Sequence, residues 1–252
     1  MKSPMLIRSN NKYINKNAIG RNAEVNGQLP FDRFILEGKE MTEEALKTGT
    51  TTIGIKCKDG VIMASEQRAT MGNMIAHTQV QKVYKIADNL GMTIAGLVGD
   101  AQLMVRYVQS EAAIYAMKRG SPMSVNAAAT LVANVIRQGF YVGLIVGGYD
   151  NKGPHIFSID GAGGYIEDDV ISVGSGSVFA LGVLKTQYKP DMSMEEGRDL
   201  VIQALTAAMT NDSASGNGML ISYIDKDGFK FLDQGEIKAR CVELGFPWPG
   251  KN

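Results

Sequence analysis

The 252-residue chain balances 26 Lys and Arg against 26 Asp and Glu, for a formal net charge of zero, and 44% of its residues are apolar. That balance gives no electrostatic argument for nucleic acid or an anionic membrane, and no apolar run approaches the roughly 20 residues of a membrane span. The length allows one large domain or two small ones with a sizeable core.

Residues 1–49 differ in character from the rest of the chain. Asn10, Asn11, Asn15, Asn17, Asn22 and Asn26 alternate with Lys and Arg, without sustained hydrophobic periodicity. Such a composition buries little apolar area, so a mostly extended or disordered leader is expected, with a brief helical turn at 41–47. The first 17 residues contain no continuous apolar stretch of the kind a secretory signal needs. Cys57 and Cys241 stand in neither a metal-ligand nor a redox spacing, which suits a reducing compartment. A cytoplasmic location is therefore expected.

From Thr51 onward the pattern is that of compact α and β structure. Residues 51–57 and 61–66 form a predicted hairpin about Lys58-Asp59-Gly60, where Asp-Gly is a strong turn signal. A loop is expected through Met71-Gly72-Asn73-Met74, then strands at 83–86 and 92–98. Gly99-Asp100 opens a helix with Asp100 as its N-cap. Met104, Tyr107, Val108, Ala112 and Tyr115 supply its apolar face, and Gly120 ends it.

A second helix is expected over 125–138. Strands come next at 140–147 and 155–159, turning at 150–153, and a further pair at 164–166 and 170–173. Gly174-Ser175-Gly176-Ser177 leads into a helix that ends before Pro190. Ser193 and Glu196 form a capping box for the next helix, which runs to about residue 211. A hairpin of 219–224 and 229–232, a short helix at 236–244 and a Pro247-Trp248-Pro249 tail complete the chain.

Hairpins rather than βαβ units connect these strands, so the sheets should be antiparallel. The helices come in pairs between strand groups. The expected fold is α+β, a four-layer αββα sandwich of two packed sheets with helices on each outer side. The sequence has neither a Gly-rich phosphate loop nor the G-x-S-x-G spacing of a nucleophile elbow.

The segment Lys47-Thr48-Gly49-Thr50-Thr51-Thr52 is the chemically suggestive one. Gly49 strips bulk from the carbonyl before Thr50 and leaves it open to the neighbouring hydroxyl. Cleavage there would give Thr50 a free α-amine beside its own hydroxyl, a known way to activate a weak nucleophile. On these residues alone, a strand that happens to begin with threonines is the plainer account.

Glu66, Arg68 and Lys82 are the charged residues that stand out next, and a solvated strand edge would explain any one of them. Strand return places Glu66 near the Thr50 end, and Lys82 could reach the same end from a neighbouring strand. Gly96 sits inside an otherwise apolar strand, where its N–H could line an oxyanion hole or its small size could serve tight packing. Asp212-Ser213-Ala214-Ser215 comes after a helix end and reads equally as a polar loop. His77 and His155 are isolated, so no metal and no cofactor are expected.

Taken together these residues resemble the β subunit of the archaeal-type proteasome core particle. The resemblance runs from Thr50 nearly to the C-terminus. It is carried by Gly49-Thr50-Thr51-Thr52-Ile53-Gly54, Lys58-Asp59-Gly60-Val61, Arg68-Ala69-Thr70-Met71-Gly72, Ala95-Gly96-Leu97-Val98-Gly99-Asp100-Ala101, Ser172-Val173-Gly174-Ser175-Gly176-Ser177 and Asp212-Ser213-Ala214-Ser215-Gly216. It implies an N-terminal-nucleophile (Ntn) hydrolase fold, removal of a propeptide (1–49) by autolysis at Gly49–Thr50, and a threonine protease in residues 50–252.

By the same resemblance Thr50 is the nucleophile, Glu66 and Lys82 the ionic pair beside it, and Gly96 the oxyanion donor. Ser175, Asp212 and Ser215 surround the new α-amine. Ala69, Val80, Ile94 and Val98 form an apolar pocket for the side chain before the cleaved bond. The implied partners are a homo-oligomeric β ring, proteasome α subunits, an ATP-dependent unfoldase cap and unfolded protein substrates, with no nucleic acid or membrane. Two departures stand out: the leader is long, and Gln138-Gly139-Phe140-Tyr141 is short between helix and strand. A non-catalytic ring subunit of the same fold is the alternative, and a smaller bacterial relative that pairs with an ATPase ring is a second.

Overall fold

The structure, a computed structural model, describes residues 49–137, 140 and 142–249, with the side chain of Val98 excepted. The expected leader, its helical turn at 41–47, and Gln138, Gly139 and Tyr141 lie outside the described residues.

Strands β1 (Thr52–Cys57) and β2 (Gly60–Glu66) form the expected hairpin, followed by β3 (Ala69–Met71), β4 (Met74–His77), β5 (Val83–Ala87) and β6 (Leu90–Gly96). Helices α1 (Val98–Arg119) and α2 (Val125–Ile136) come next, then β7 (Val142–Asp150), β8 (Gly153–Ile159), β9 (Tyr165–Glu167) and β10 (Val170–Val173). The chain continues through α3 (Ser177–Gln187), α4 (Met194–Asn211), β11 (Met219–Asp225), β12 (Gly228–Phe231) and α5 (Gln234–Glu243).

Two five-stranded antiparallel sheets result, in the orders β10-β1-β2-β11-β12 and β5-β6-β7-β8-β9. β1 and β2 pack across onto β7 and β8, α1 and α2 cover the second sheet, and α3 and α4 cover the first. This is the expected four-layer αββα sandwich.

Alternation along the strands explains the layering. Ile53, Ile55 and Cys57 of β1 share an apolar cluster with Leu184 of α3 and Leu200, Val201 and Leu205 of α4. Val61 and Met63 of β2 join Ile145 and Ile156 in a second cluster between the sheets. Ile53, Ile55, Val61 and Met63 are fully buried, each stabilising the fold by about 1.5–3 kcal/mol relative to exposure.

Three local expectations need correction. Met71-Gly72-Asn73-Met74 is the turn of a small hairpin, β3–β4, rather than a loop. Met71, Met74 and Ile75 are exposed there, so burial imposed no alternation for the sequence to display. The strand over 92–98 ends at Gly96, and α1 starts at Val98 with Leu97 as N-cap, so Asp100 lies in the first turn. A carboxylate there still favours the helix dipole. Finally, β9 and β10 do not pair with each other: β9 pairs β8 and β10 pairs β1, so Asp168 and Asp169 carry the chain from one sheet to the other. The Ser193–Glu196 capping box and the Gly120 terminus are as expected.

Candidate active site

Thr50 sits where the two sheets meet at one end of the sandwich. The β1–β2 register pairs Thr52 with Ser65, which sets Glu66 opposite Thr51, and the Glu66 N–H closes the ladder by donating to the Thr51 carbonyl at 3.2 Å. Lys82 comes from the other sheet, just ahead of β5, where its carbonyl accepts from Ile94 N–H of β6 at 2.9 Å. The Lys82 ammonium donates to Thr50 Oγ1, to Glu66 Oε1 and, at 2.5 Å, to the Arg68 carbonyl. All three of its hydrogens are thereby used.

Glu66 is 0% exposed and Lys82 7%, so the pair is not a solvated strand edge. Glu66 Oε1 accepts from the Thr50 hydroxyl at 2.6 Å and from Thr51 N–H at 3.2 Å. Its Oε2 accepts from Arg68 N–H at 2.6 Å and Gly216 N–H at 3.1 Å. Every one of these contacts is a donor, the set an ionised carboxylate takes. Burial holds the Lys82 ammonium below its ordinary range, against the pull of Glu66.

The Thr50 nitrogen faces a second cluster. With the Gly49–Thr50 bond intact it donates to Ser175 Oγ at 3.1 Å. Ser175 Oγ donates to Asp212 Oδ2 at 2.6 Å, and Ser215 Oγ donates to the same oxygen at 2.7 Å. Asp212 caps the C-terminal end of α4, and its other oxygen accepts from Ala214 N–H at 3.1 Å. Ser175 lies in the turn between β10 and α3, tied down by the Gly176 N–H donating to the Thr50 carbonyl at 3.3 Å.

Gly49 fits only because it lacks a side chain. A Cβ there would collide with the side chain of Ala214 and stand 2.9 Å from Ser175 Oγ. Its N–H reaches Thr70 Oγ1 at 3.4 Å.

A small cleft of about 50 Å³ opens beside Thr50, lined by Ala69, Val80, Tyr84, Ile94 and Ala101, with Lys82 and Gly96 also in its wall. Gly96 has φ +132°, a conformation open chiefly to glycine. Of the four expected pocket residues, Ala69, Val80 and Ile94 line this cleft, and the side chain of Val98 lies outside the described residues. Thr50, Glu66, Lys82, Ser175, Asp212 and Ser215 form one hydrogen-bonded network, and Gly96 adjoins it across the cleft.

Sequence reasoning gave no role to three residues of this site. Arg68 donates to Asn217 Oδ1 through Nε at 2.7 Å and to the Ser213 carbonyl through Nη1 at 2.6 Å, fastening the loop after α4. Thr70 meets Gly49, and Thr51 meets Ser215 Oγ at 2.7 Å. Only Arg68 carried a signal, as a charge beside Glu66; the hydroxyls of Thr51 and Thr70 look like ordinary strand residues. Among the described residues no group of three or more His, Cys, Asp and Glu is arranged to hold a metal ion.

A family model described as "Proteasome subunit" matches residues 46–224. The chain is 51% identical to the proteasome subunit beta of Picrophilus torridus over 206 residues, covering 80% of this chain and 98% of the relative. It is 49% identical to that of Thermoplasma acidophilum over 207 residues, with 80% and 98% covered. The corresponding protein of Methanobrevibacter smithii is 45% identical over 203 residues, with 80% and 100% covered.

Proposed function

The chain belongs to the proteasome subunit family, as a β-type proteolytic subunit of the core particle, and we propose that it is a threonine endopeptidase that exposes its own nucleophile by cleavage at Gly49–Thr50. The observation that carries this reading is the environment of Thr50. Its hydroxyl lies between Lys82 and Glu66, its nitrogen faces Ser175, and an apolar cleft opens alongside.

Residues 1–49 are the propeptide in this reading, and residues 50–252 the catalytic domain. The bared Thr50 hydroxyl, giving its proton to the Thr50 α-amine, attacks a peptide carbonyl; the C–N bond breaks, the amine leaves with that proton, and water hydrolyses the resulting acyl ester to free the acid and the hydroxyl. The Thr50 α-amine is the general base, since an ordinary α-amino group, at about 7.7–8.0, keeps a useful neutral fraction near neutral pH and a nearby cation raises that fraction. Lys82, with all three hydrogens committed to acceptors, acts as a fixed positive charge beside the hydroxyl. The Gly96 N–H receives the oxyanion, a contribution of about 3–4 kcal/mol where a single such donor is removed elsewhere. Before cleavage the Thr50 nitrogen is an amide and cannot take a proton, so the precursor is inert towards other substrates.

Ala69, Val80 and Ile94 carry no charge, which supports cleavage after apolar and aromatic side chains. The chain is proposed to form a ring of its own copies beside α subunits, fed with unfolded proteins by an ATP-dependent unfoldase in the cytoplasm.

The test is an N-terminal mass measurement on particles assembled with the α subunit. A chain beginning at Thr50 is expected. Peptide-cleaving particles whose β chain still begins at Met1 would overturn the reading.

A further inference from the structure

Thr51 is fully buried, and it is joined to both halves of the site. Its backbone N–H donates to Glu66 Oε1 at 3.2 Å, and its side-chain oxygen lies 2.7 Å from Ser215 Oγ. The direction of that second bond is fixed by counting hydrogens. Ser215 has one hydroxyl hydrogen, directed to Asp212 Oδ2 at 2.7 Å. Its oxygen must therefore accept, and the Thr51 hydroxyl donates.

Ser175 poses the same choice. Its hydrogen has two possible acceptors, Asp212 Oδ2 at 2.6 Å and the Thr50 carbonyl at 3.3 Å. The shorter bond to a carboxylate is the stronger, which leaves Ser175 Oγ free to accept from the Thr50 nitrogen. A directed chain results: Thr51 donates to Ser215, Ser215 to Asp212, Ser175 to the same oxygen of Asp212, and Thr50 nitrogen to Ser175.

We infer that Thr51 is a positioning residue for the reaction, its hydroxyl ending the donor chain that sets the orientation and proton affinity of the Thr50 nitrogen. The inference rests on Thr50 being the nucleophile. Removing the Thr51 hydrogen leaves Ser215 a less polarised donor, because linked hydrogen bonds strengthen one another. Asp212 then keeps more of its negative charge and holds a protonated Thr50 amine more tightly. Asp212 at the end of α4 is joined to that nitrogen through Ser175, and the other charged groups of the site are Glu66 in β2, Arg68 just after β2 and Lys82 ahead of β5. The substitution leaves all four in place.

The variants are Thr51→Val, which keeps the β-branched shape without the hydroxyl, and Thr51→Ser, which keeps the hydroxyl. Both are made with Thr50 exposed by a cleavable tag fused directly before it, and assembled with the α subunit. The steady-state parameters kcat and KM are measured with an apolar fluorogenic peptide across pH. For Thr51→Val we expect kcat lower by roughly three- to tenfold, the scale of one lost hydrogen bond. KM should be unchanged and the acidic limb of the rate profile moved to higher pH. Thr51→Ser should restore both kcat and the profile.

An unshifted profile in Thr51→Val, or equal impairment in Thr51→Ser, overturns the inference while an active wild type leaves the nucleophile intact. An inactive wild type overturns both. If Thr51→Val does not assemble, Thr51→Ser against Thr51→Ala isolates the hydroxyl, and equal rates in those two would overturn it.

Discussion

The Lys82 ammonium and the Glu66 carboxylate form an ion pair that brings the two sheets together at one end, almost out of reach of solvent. Such a pair is costly to break from one side, because the remaining charge stays buried without a partner. Lys82→Ala should therefore lower stability by about 3–5 kcal/mol. Lys82→Met combined with Glu66→Gln should recover most of that loss, since no buried charge remains. Neither variant should hydrolyse peptides, even with Thr50 pre-exposed, and Lys82→Arg should fail as well because a planar guanidinium cannot replace a compact ammonium. Thermal unfolding and peptide hydrolysis of assembled particles check this. A Lys82→Ala particle with near wild-type rates would remove Lys82 from the site.

Gly49 is packed against Ala214 and Ser175 with no room for a Cβ. Gly49→Val should displace the bond ahead of Thr50 and slow leader removal at least tenfold, about 1.4 kcal/mol of barrier. The pre-exposed enzyme lacks residue 49 and should be unaffected by this change. Mass spectrometry of the β chain during assembly tracks the rate. Cleavage of Gly49→Val at the wild-type rate would show that the close fit is irrelevant to processing.

The cleft beside Thr50 is walled by Ala69, Val80 and Ile94. A fluorogenic panel should show aromatic and aliphatic residues before the cleaved bond turned over faster than acidic ones. Ala69→Phe should fill the cleft and shift preference towards small side chains, raising KM for aromatic substrates more than it lowers kcat for alanine-type substrates. Faster turnover of acidic than aromatic peptides would contradict the assignment.

Cys57 lies beneath α4, and burial pushes its thiol from 9.0 up to about 12, with Glu196 and Asp59 adding to the effect. The folded state thus keeps a proton that the unfolded chain gives up near the ordinary thiol value. Stability from this group is complete below about pH 9 and is lost as pH rises towards about 12. Cys57→Ala should show a shallower decline of unfolding temperature over that window than the wild type. Thiol-alkylating reagents at pH 8 should leave the native activity untouched, because the thiolate is the reactive form. Rapid alkylation of Cys57 in folded particles would refute its burial.

The sequence by itself determined the antiparallel character of the sheets, the order of elements apart from the β3–β4 hairpin, and, through its resemblance to a family, which residues to place in the candidate site. Asp59-Gly60, the Ser193–Glu196 box and the alternation of Ile53 and Ile55 are local signals, readable because turn, cap and strand preferences act over a few residues. Tertiary structure alone decided the rest. The parting of β9 from β10 depends on which sheet edge each can reach, and nothing in residues 164–173 encodes that distance. Thr51, Thr70 and Arg68 acquire their partners across separations of 164, 21 and 149 residues, so no spacing rule could have found them. A hydroxyl in a strand looks the same whether it faces a methyl group or a buried carboxylate network. Its role is set by what the other sheet and the loop after α4 bring within hydrogen-bond reach.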